Sequence, residues 1–514
     1  MSSPAGTRDA RQLVVLPADT NQARGLAEYA IDFLADELDR IDPSVVERLE
    51  LFYRDSVGCG VSALHHATRA PTLLRNEALS YPHEPGATCF GSSRRVRPEK
   101  AVLANSAAVR EWDANGTLFG YNPASGKGEG EFGHNDFYAV PIAAAQTAGL
   151  DGDAVLQGML LIDEIRGRLA ESFSLNRHAI DHVVHGAIAS ALAYGAMLGA
   201  SAEQLESAIG LFVAHYIPFR AIRSGSQLSD SKGASAAISA EAAVLCVQRA
   251  MRGFQGPADI FRNPKSLFCL YTNPPAGSSC FDLQLAHAGS DFAIMQMHFK
   301  LGLYEHQSAS ALHGLIELLK QYPSLASTLD DIRSIHVTIY EPAWSIICDE
   351  AKWKPTTRQS ADHSLPYILA ATLRKAHRDG ATDWDTLMLL PADYTDEAIS
   401  DPLLASLMAN ITVDHGGDQF DKQYPLGIPT QIQIDHESLG SLDSGLVLHP
   451  MGHAMNTNPE LTGLLGRKFQ LLAGPAVVDL AGLERQSGAL AEKSVEEIAA
   501  INSFCIQGVS ADDA

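Results

Sequence analysis

Apolar residues recur at three- and four-residue spacing through most of the stretch 22–297, the period of an amphipathic helix. Leu26–Leu51 shows it with Asp and Glu between the apolar positions, and Asp151–Leu175, Val183–Gly199, Ala202–Ala214 and Ser231–Met251 repeat it. Segments containing Gly and Pro separate these runs, as helix ends require. The period changes after Lys300. Ile332–Tyr340 sets Ile335, Val337 and Ile339 against His336 and Thr338, which predicts a half-buried strand, and Thr430–Ile434 alternates in the same way. Helical patterns lie between them near Ser364–Ala376 and Thr395–Ala409, and the helical period returns over Pro459–Leu472 and Val495–Asn502. The pattern predicts a mainly α protein with an inserted α/β domain. Its expected parts are a flexible tail at 1–22, a helical domain at 23–297, an α/β domain at 298–448, and a segment 449–514 that returns to the helical domain.

One run is uniformly uncharged. Val183–Ala200 carries no formal charge over 18 residues, close to the lower limit for a membrane span. Its apolar content is mostly Ala and Gly, and His185, Ser190 and Tyr194 interrupt it. A buried helix approached closely by its neighbours is therefore expected, and no membrane span. The composition is that of a globular chain: 514 residues, 46% hydrophobic and 19% charged. The formal net charge of −23 repels nucleic acid and anionic membranes, so an anionic small molecule would need a local basic pocket. The seven cysteines are odd in number and show no CxxC spacing, which argues against a disulfide framework or a zinc ribbon and suits a reducing compartment. Met1–Thr20 shows no apolar run flanked by basic residues. A cytoplasmic protein is expected, or one of the mitochondrial matrix in a eukaryotic host.

Five segments concentrate chemistry. Arg110–Thr117 (REWDANGT) follows a stretch of small residues, and Glu131–Asp136 (EFGHND) follows a Gly-rich loop at 120–133. Their Asp, Asn, Thr and His suit either helix caps and turns or the polar wall of a cleft. The loop lacks the GxxxxGK[ST] order and the preceding strand of a phosphate loop, so it reads as a linker or a mobile active-site loop. Asn176–His185 holds three histidines. His178 and His182 stand four apart but without the Glu of HExxH, so acid–base or substrate-binding work by a metal-free imidazole is favoured over zinc. Arg220–Lys232 (RAIRSGSQLSDSK) gathers cations in an acidic chain, with Lys232 near a helix N-terminus that does not favour it. His298–Gln307 and Asp362–Tyr367 complete the set at the junction of the two patterns and at the start of a helix. By themselves these residues describe a two-domain soluble enzyme with an anionic ligand.

Taken in order, the segments resemble the MmgE/PrpD family, which contains 2-methylcitrate dehydratases and cis-aconitate decarboxylases. The resemblance runs from about Gln22 to the C-terminus, and its most specific parts are WDANGT with EFGH, IDHVVH, SDSK, FKLGLYEH and DHSLPY. It implies a helical domain interrupted by an α/β lid, a homodimer, and chemistry that needs neither metal nor cofactor. It implies catalytic roles for Asp113, His134, His182 and Tyr367, and substrate binding by Thr117, Lys232 and Lys300, with Arg223 and His306 beside them. The implied reaction is acid–base elimination of water from a 2-methylcitrate-like tricarboxylate, as in the methylcitrate cycle of propionate catabolism. The alternatives are a cis-aconitate decarboxylase-like lyase and a non-catalytic polycarboxylate-binding paralogue. Two departures bear on the substrate: the aromatic-Pro-Ala-Glu-Phe-His run shortens to Leu303–His306, and Asn115-Gly116 precedes Thr117.

Overall fold

The computed structural model describes residues 13–123, 126–223 and 228–510. The fold is mainly α with a small α/β portion. Helices Gln22–Ala35 and Pro43–His65 divide the first long periodic run, because Asp42 caps the Ser44 amide (2.9 Å) and Pro43 can open a helix but not continue one. Around the charge-free helix Val183–Met197 pack Gly152–Ser172, Ala202–His215 and Asp230–Met251. That helix is buried on nearly every side, which is why it shows no polar face. Its small residues are required by the packing: a Cβ on Gly186 would enter the Phe137 ring, and one on Gly195 would enter Leu205. No helix among the described residues is long and apolar enough to cross a membrane.

The second pattern builds a four-stranded sheet. Its order is Ile411–His415, Ile332–Ile339, Thr430–His436, Gly440–Asp443, with the first pair parallel and the others antiparallel. Ile335, Val337 and Ile339 are buried and the residues between them are partly exposed, as the alternation predicts. Helix Ala309–Gln321 packs on this sheet, and Leu365–Asp379 packs on that helix. Leu461–Ala473 lies along Pro43–His65, where the Lys468 ammonium donates to Asp55 (2.6 Å) and to the Ala114 carbonyl (2.5 Å).

Four expectations change. Residues 13–22 are no loose tail: Leu13–Leu16 pairs antiparallel with Leu283–Ala286, and the first helix opens at Gln22. The rest of the expected tail, 1–12, lies outside the described residues. Thr395–Ala409 is two short helices, Asp396–Ile399 and Pro402–Ala409, because Pro402 cannot supply the amide a continuous helix needs. The two expected strands leave out Ile411–His415 and Gly440–Asp443, which form the edges of the sheet. The Gly-rich stretch is a pair of small hairpins, Thr117–Leu118 with Gly133–His134 and Tyr121–Asn122 with Lys127–Gly128. Residues 124–125 of that stretch, and 224–227 of the basic segment, lie outside the described residues.

Candidate active site

The hairpins set the register of the site. Thr117 pairs with His134 across the first one, which draws the WDANGT and EFGH segments together. Helix Pro98–Arg110 ends just before this point, and Asp113 then takes a left-handed backbone conformation (φ +50°). A non-glycine residue pays for that conformation and keeps it only where the surroundings fix it. Here four cationic or imidazole groups do so. Arg110 Nη1 stands 2.8 Å from Asp113 Oδ1, and the Lys300 ammonium makes a very short contact with the same oxygen. Lys232 Nζ lies 3.4 Å and His363 Nε2 lies 3.1 Å from Oδ2. Burial alone would raise the Asp113 carboxyl, but Arg110, Lys300 and Lys232 hold it well below the usual carboxylate range.

The α/β portion enters this cluster through one turn. Lys232 Nζ also contacts Asp362 Oδ1 (3.2 Å), and His363 Nδ1 lies 2.6 Å from the same oxygen. Arg358 spans Asp362 (3.1 Å) and Glu111 (2.5 Å). Asp113, Asp362 and His363 each offer one ligand-type atom within 4.8 Å of the others. The ammonium groups of Lys232 and Lys300 already compensate those oxygens, so the donor set fits a divalent cation poorly.

Beside the cluster is a cavity of about 220 Å³ where the α/β portion meets the helical part. Its wall holds five cationic side chains, Arg110, Arg220, Arg223, Lys232 and Lys352, against the carboxyls of Asp113, Glu305 and Asp349. His134 and His182 complete the polar wall, their rings 5.4 Å apart, and Phe132, Leu228 and Ile346 add apolar surface. His134 Nε2 takes a hydrogen bond from Arg110 Nη2 (3.3 Å). Arginine cannot accept, so this nitrogen is the unprotonated one and the proton sits on Nδ1. Neither ring nitrogen of His182 has a hydrogen-bond partner among the described residues. Burial, then Arg110 and Lys300, holds His134 well below the ordinary imidazole value. Burial does the same to His182 against the opposing pull of Asp181, with Arg223 and Arg220 adding to the lowering. Both imidazoles are therefore neutral at pH 7. Asp181 is gripped by both Arg223 Nε and Nη2, which anchors the chain immediately before His182.

The sequence-predicted residues separate on this geometry. Asp113, His134, His182, Lys232 and Arg223 line the cavity, and Lys300 stands directly behind Asp113. Three expected residues do not reach it. The Thr117 hydroxyl donates to the Gly133 carbonyl (2.9 Å) and pins the hairpin. The Tyr367 hydroxyl donates to the Asp393 carbonyl (2.7 Å), inside the α/β portion. His306 is buried against His298 and Phe119, and its chain neighbour Glu305 takes the place on the wall. Of the histidines near His182, His178 stacks on Phe173 and Tyr271, and His185 bonds the Phe173 carbonyl (2.9 Å). Sequence reasoning missed Arg110, Arg220, Glu305, Lys352 and His363 as wall residues. Arg110 and His363 sit inside the quoted motifs and were legible there, whereas nothing near Lys352 marked it.

Fold and cavity together define a helical protein with a small α/β unit and a cation-rich cavity where the two meet. The chain belongs to the MmgE/PrpD family: the family's N-terminal domain matches residues 24–276 and its C-terminal domain matches 304–486. It is similar to a mitochondrial 2-methylcitrate dehydratase of Yarrowia lipolytica, with 26% identity over 88% of this chain and 85% of the relative. It is similar also to a 2-methylcitrate dehydratase of Salmonella typhimurium (24% identity, 81% and 83% covered) and to an alkylcitrate dehydratase of Talaromyces stipitatus (23%, 81% and 83%). The enzymes so named are carbon–oxygen lyases.

Proposed function

We propose that the protein is a metal-independent dehydratase acting on a 2-methylcitrate-like tricarboxylate. The observation that carries this reading is the cationic wall beside two neutral imidazoles, in a chain whose net charge is −23. Elimination of water beside a carboxylate needs a base for the α-proton, an acid for the departing hydroxyl, and cations for the charge that develops on the activated carboxylate. His182 is the base: neutral, on the wall, with both nitrogens unclaimed. His134, oriented by Arg110, supports the acid–base work. Lys232, Arg220 and Arg223 clamp carboxylates, with Lys352 reaching from the α/β side. Asp113 holds Lys232, Lys300 and Arg110 in place. The α/β unit serves as a lid whose Asp362–His363 turn completes the site. The same reading makes the protein a homodimer of the cytoplasm or mitochondrial matrix, serving propionate catabolism.

The test is a product assay on chelator-treated protein with 2-methylcitrate, citrate and cis-aconitate, following alkene formation and CO₂ release together. Alkene from 2-methylcitrate without CO₂, at a rate that chelator does not change, is the expected result. CO₂ from cis-aconitate would overturn the reading in favour of a decarboxylase. Silence on all three with binding intact would leave a polycarboxylate-binding protein.

A further inference from the structure

Elimination needs a proton donor for the hydroxyl, and the tyrosine that the family resemblance offered is tied to the Asp393 carbonyl away from the cavity. We infer that Glu305 is the general acid of the reaction, giving its carboxyl proton to the departing hydroxyl; this rests on the dehydratase reading above. Three carboxyls line the cavity. Asp113 is saturated by cations and cannot hold a proton. Asp349 is exposed and lies 3.6 Å from Lys352. Glu305 alone among the three forms no salt bridge within 4 Å among the described residues.

Its position is fixed from both sides. Glu305 Oε2 accepts the Gln307 amide (2.8 Å), as the cap of the short turn His306–Ser308, and its own amide donates to the Asp362 carbonyl (2.7 Å). One residue further on, His363 reaches Asp113, so the carboxyl is coupled to the same turn that carries the lid into the site. The groups facing it are Asp113 and Lys232 from the helical side, Lys300 from its own segment, and Tyr340, Cys348 and Tyr424 from the α/β side. Burial first, then the Asp113 charge, pushes the Glu305 carboxyl up to about 7, against the opposing pull of Lys300 and Lys232. A carboxyl kept protonated near neutral pH, lining the same cavity as a neutral imidazole, is a matched pair for elimination.

The step balances within the site. The base takes the α-proton, and that C–H electron pair forms the double bond as the C–O bond breaks. The leaving oxygen takes the Glu305 proton and departs as water. Glu305 is left as carboxylate and the base protonated, and return of that proton to Glu305 restores both groups.

The experiment is the pH dependence of kcat/KM, with kcat and KM resolved, for 2-methylcitrate dehydration in wild type, E305Q and E305D. A general acid works only while protonated, and kcat/KM reports the free enzyme, so the wild-type kcat/KM should fall above a pKa of about 7. E305Q should lower kcat about 10²- to 10³-fold and abolish that alkaline limb, with KM within about threefold of wild type. E305D should recover part of the rate and keep the limb. An E305Q enzyme within about threefold of wild-type kcat, with the limb intact, overturns the assignment. Should E305Q fail to fold, the wild-type profile decides: a kcat/KM that is flat or rising above pH 7 overturns it. A wild type silent on 2-methylcitrate overturns the dehydratase reading itself, and is thereby distinguishable from failure of the Glu305 assignment in an active enzyme.

Discussion

Two buried polar nests lie either side of one short segment, Lys300–His306, and they solve burial in opposite ways. Around Asp113, charges are compensated: Arg110, Lys232 and Lys300 converge on one carboxylate, which Asp362 and Arg358 extend. Around His306 the imidazoles themselves are neutral, and the nearby Arg48 guanidinium is turned onto the Ile294 and Met297 carbonyls. His298, His306, His449 and His453 pack ring to ring at 4.2–5.1 Å, and His298 and His453 accept backbone amides from Ala454 and Met455 (3.0 and 3.1 Å). Burial holds all four imidazoles below their ordinary value. An isolated buried charge is costly, so a nest is either paired or neutral. Only the paired nest presents cations to a cavity, and that separates a site from a core. Two residues of one motif, Lys300 and His306, thus fall on different sides of the distinction.

The largest effect should come from uncompensating the first nest. D113N leaves Arg110, Lys232 and Lys300 around a neutral amide, and should lower kcat by about 10³-fold or more while destabilising the fold by about 3–5 kcal/mol. Product formation and urea unfolding read the two losses separately. K232M removes one clamp and should lower kcat/KM about 10²-fold, chiefly through KM. A smaller effect belongs to the second nest. His453 is pushed down to about 3 by burial first, so it stays neutral in the folded chain while the unfolded chain takes up a proton below about pH 6.5. Stability contributed by this group is therefore full above that pH and is lost as pH falls towards 3, by about 1.4 kcal/mol per pH unit. H453Q should flatten the acid limb of the melting profile by that amount and leave kcat unchanged; an identical limb in the variant would show that His453 is not held neutral.

The fold class was legible because periodicity reports burial directly. The uniform apolarity of Val183–Met197 and the alternation of Ile332–Ile339 each have one physical cause, and the structure supplies it. Ile411–His415 was hidden because it is a short edge strand in which the four residues after Ile411 are partly or fully exposed. The Gly-rich hairpins were hidden because two-residue ladders carry no period. Within the site, residue types were legible but directions were not. EH at 305–306 names a carboxyl and an imidazole, and only the turn His306–Ser308 decides which of them faces the cavity. Arg110 escaped notice because a cation at a helix C-terminus already has a sufficient reason to be there.

The most direct test of the distinction between the nests is kcat/KM for 2-methylcitrate in H182A measured beside H306L. His182 lies on the wall with unclaimed nitrogens, and H182A should lose about 10²- to 10⁴-fold with little change in melting temperature. His306 is a buried imidazole with no hydrogen-bond partner among the described residues, so leucine there should leave kcat/KM within about threefold and the fold at least as stable. A variant H306L that loses activity as H182A is expected to, or an H182A enzyme that keeps it, would contradict the account.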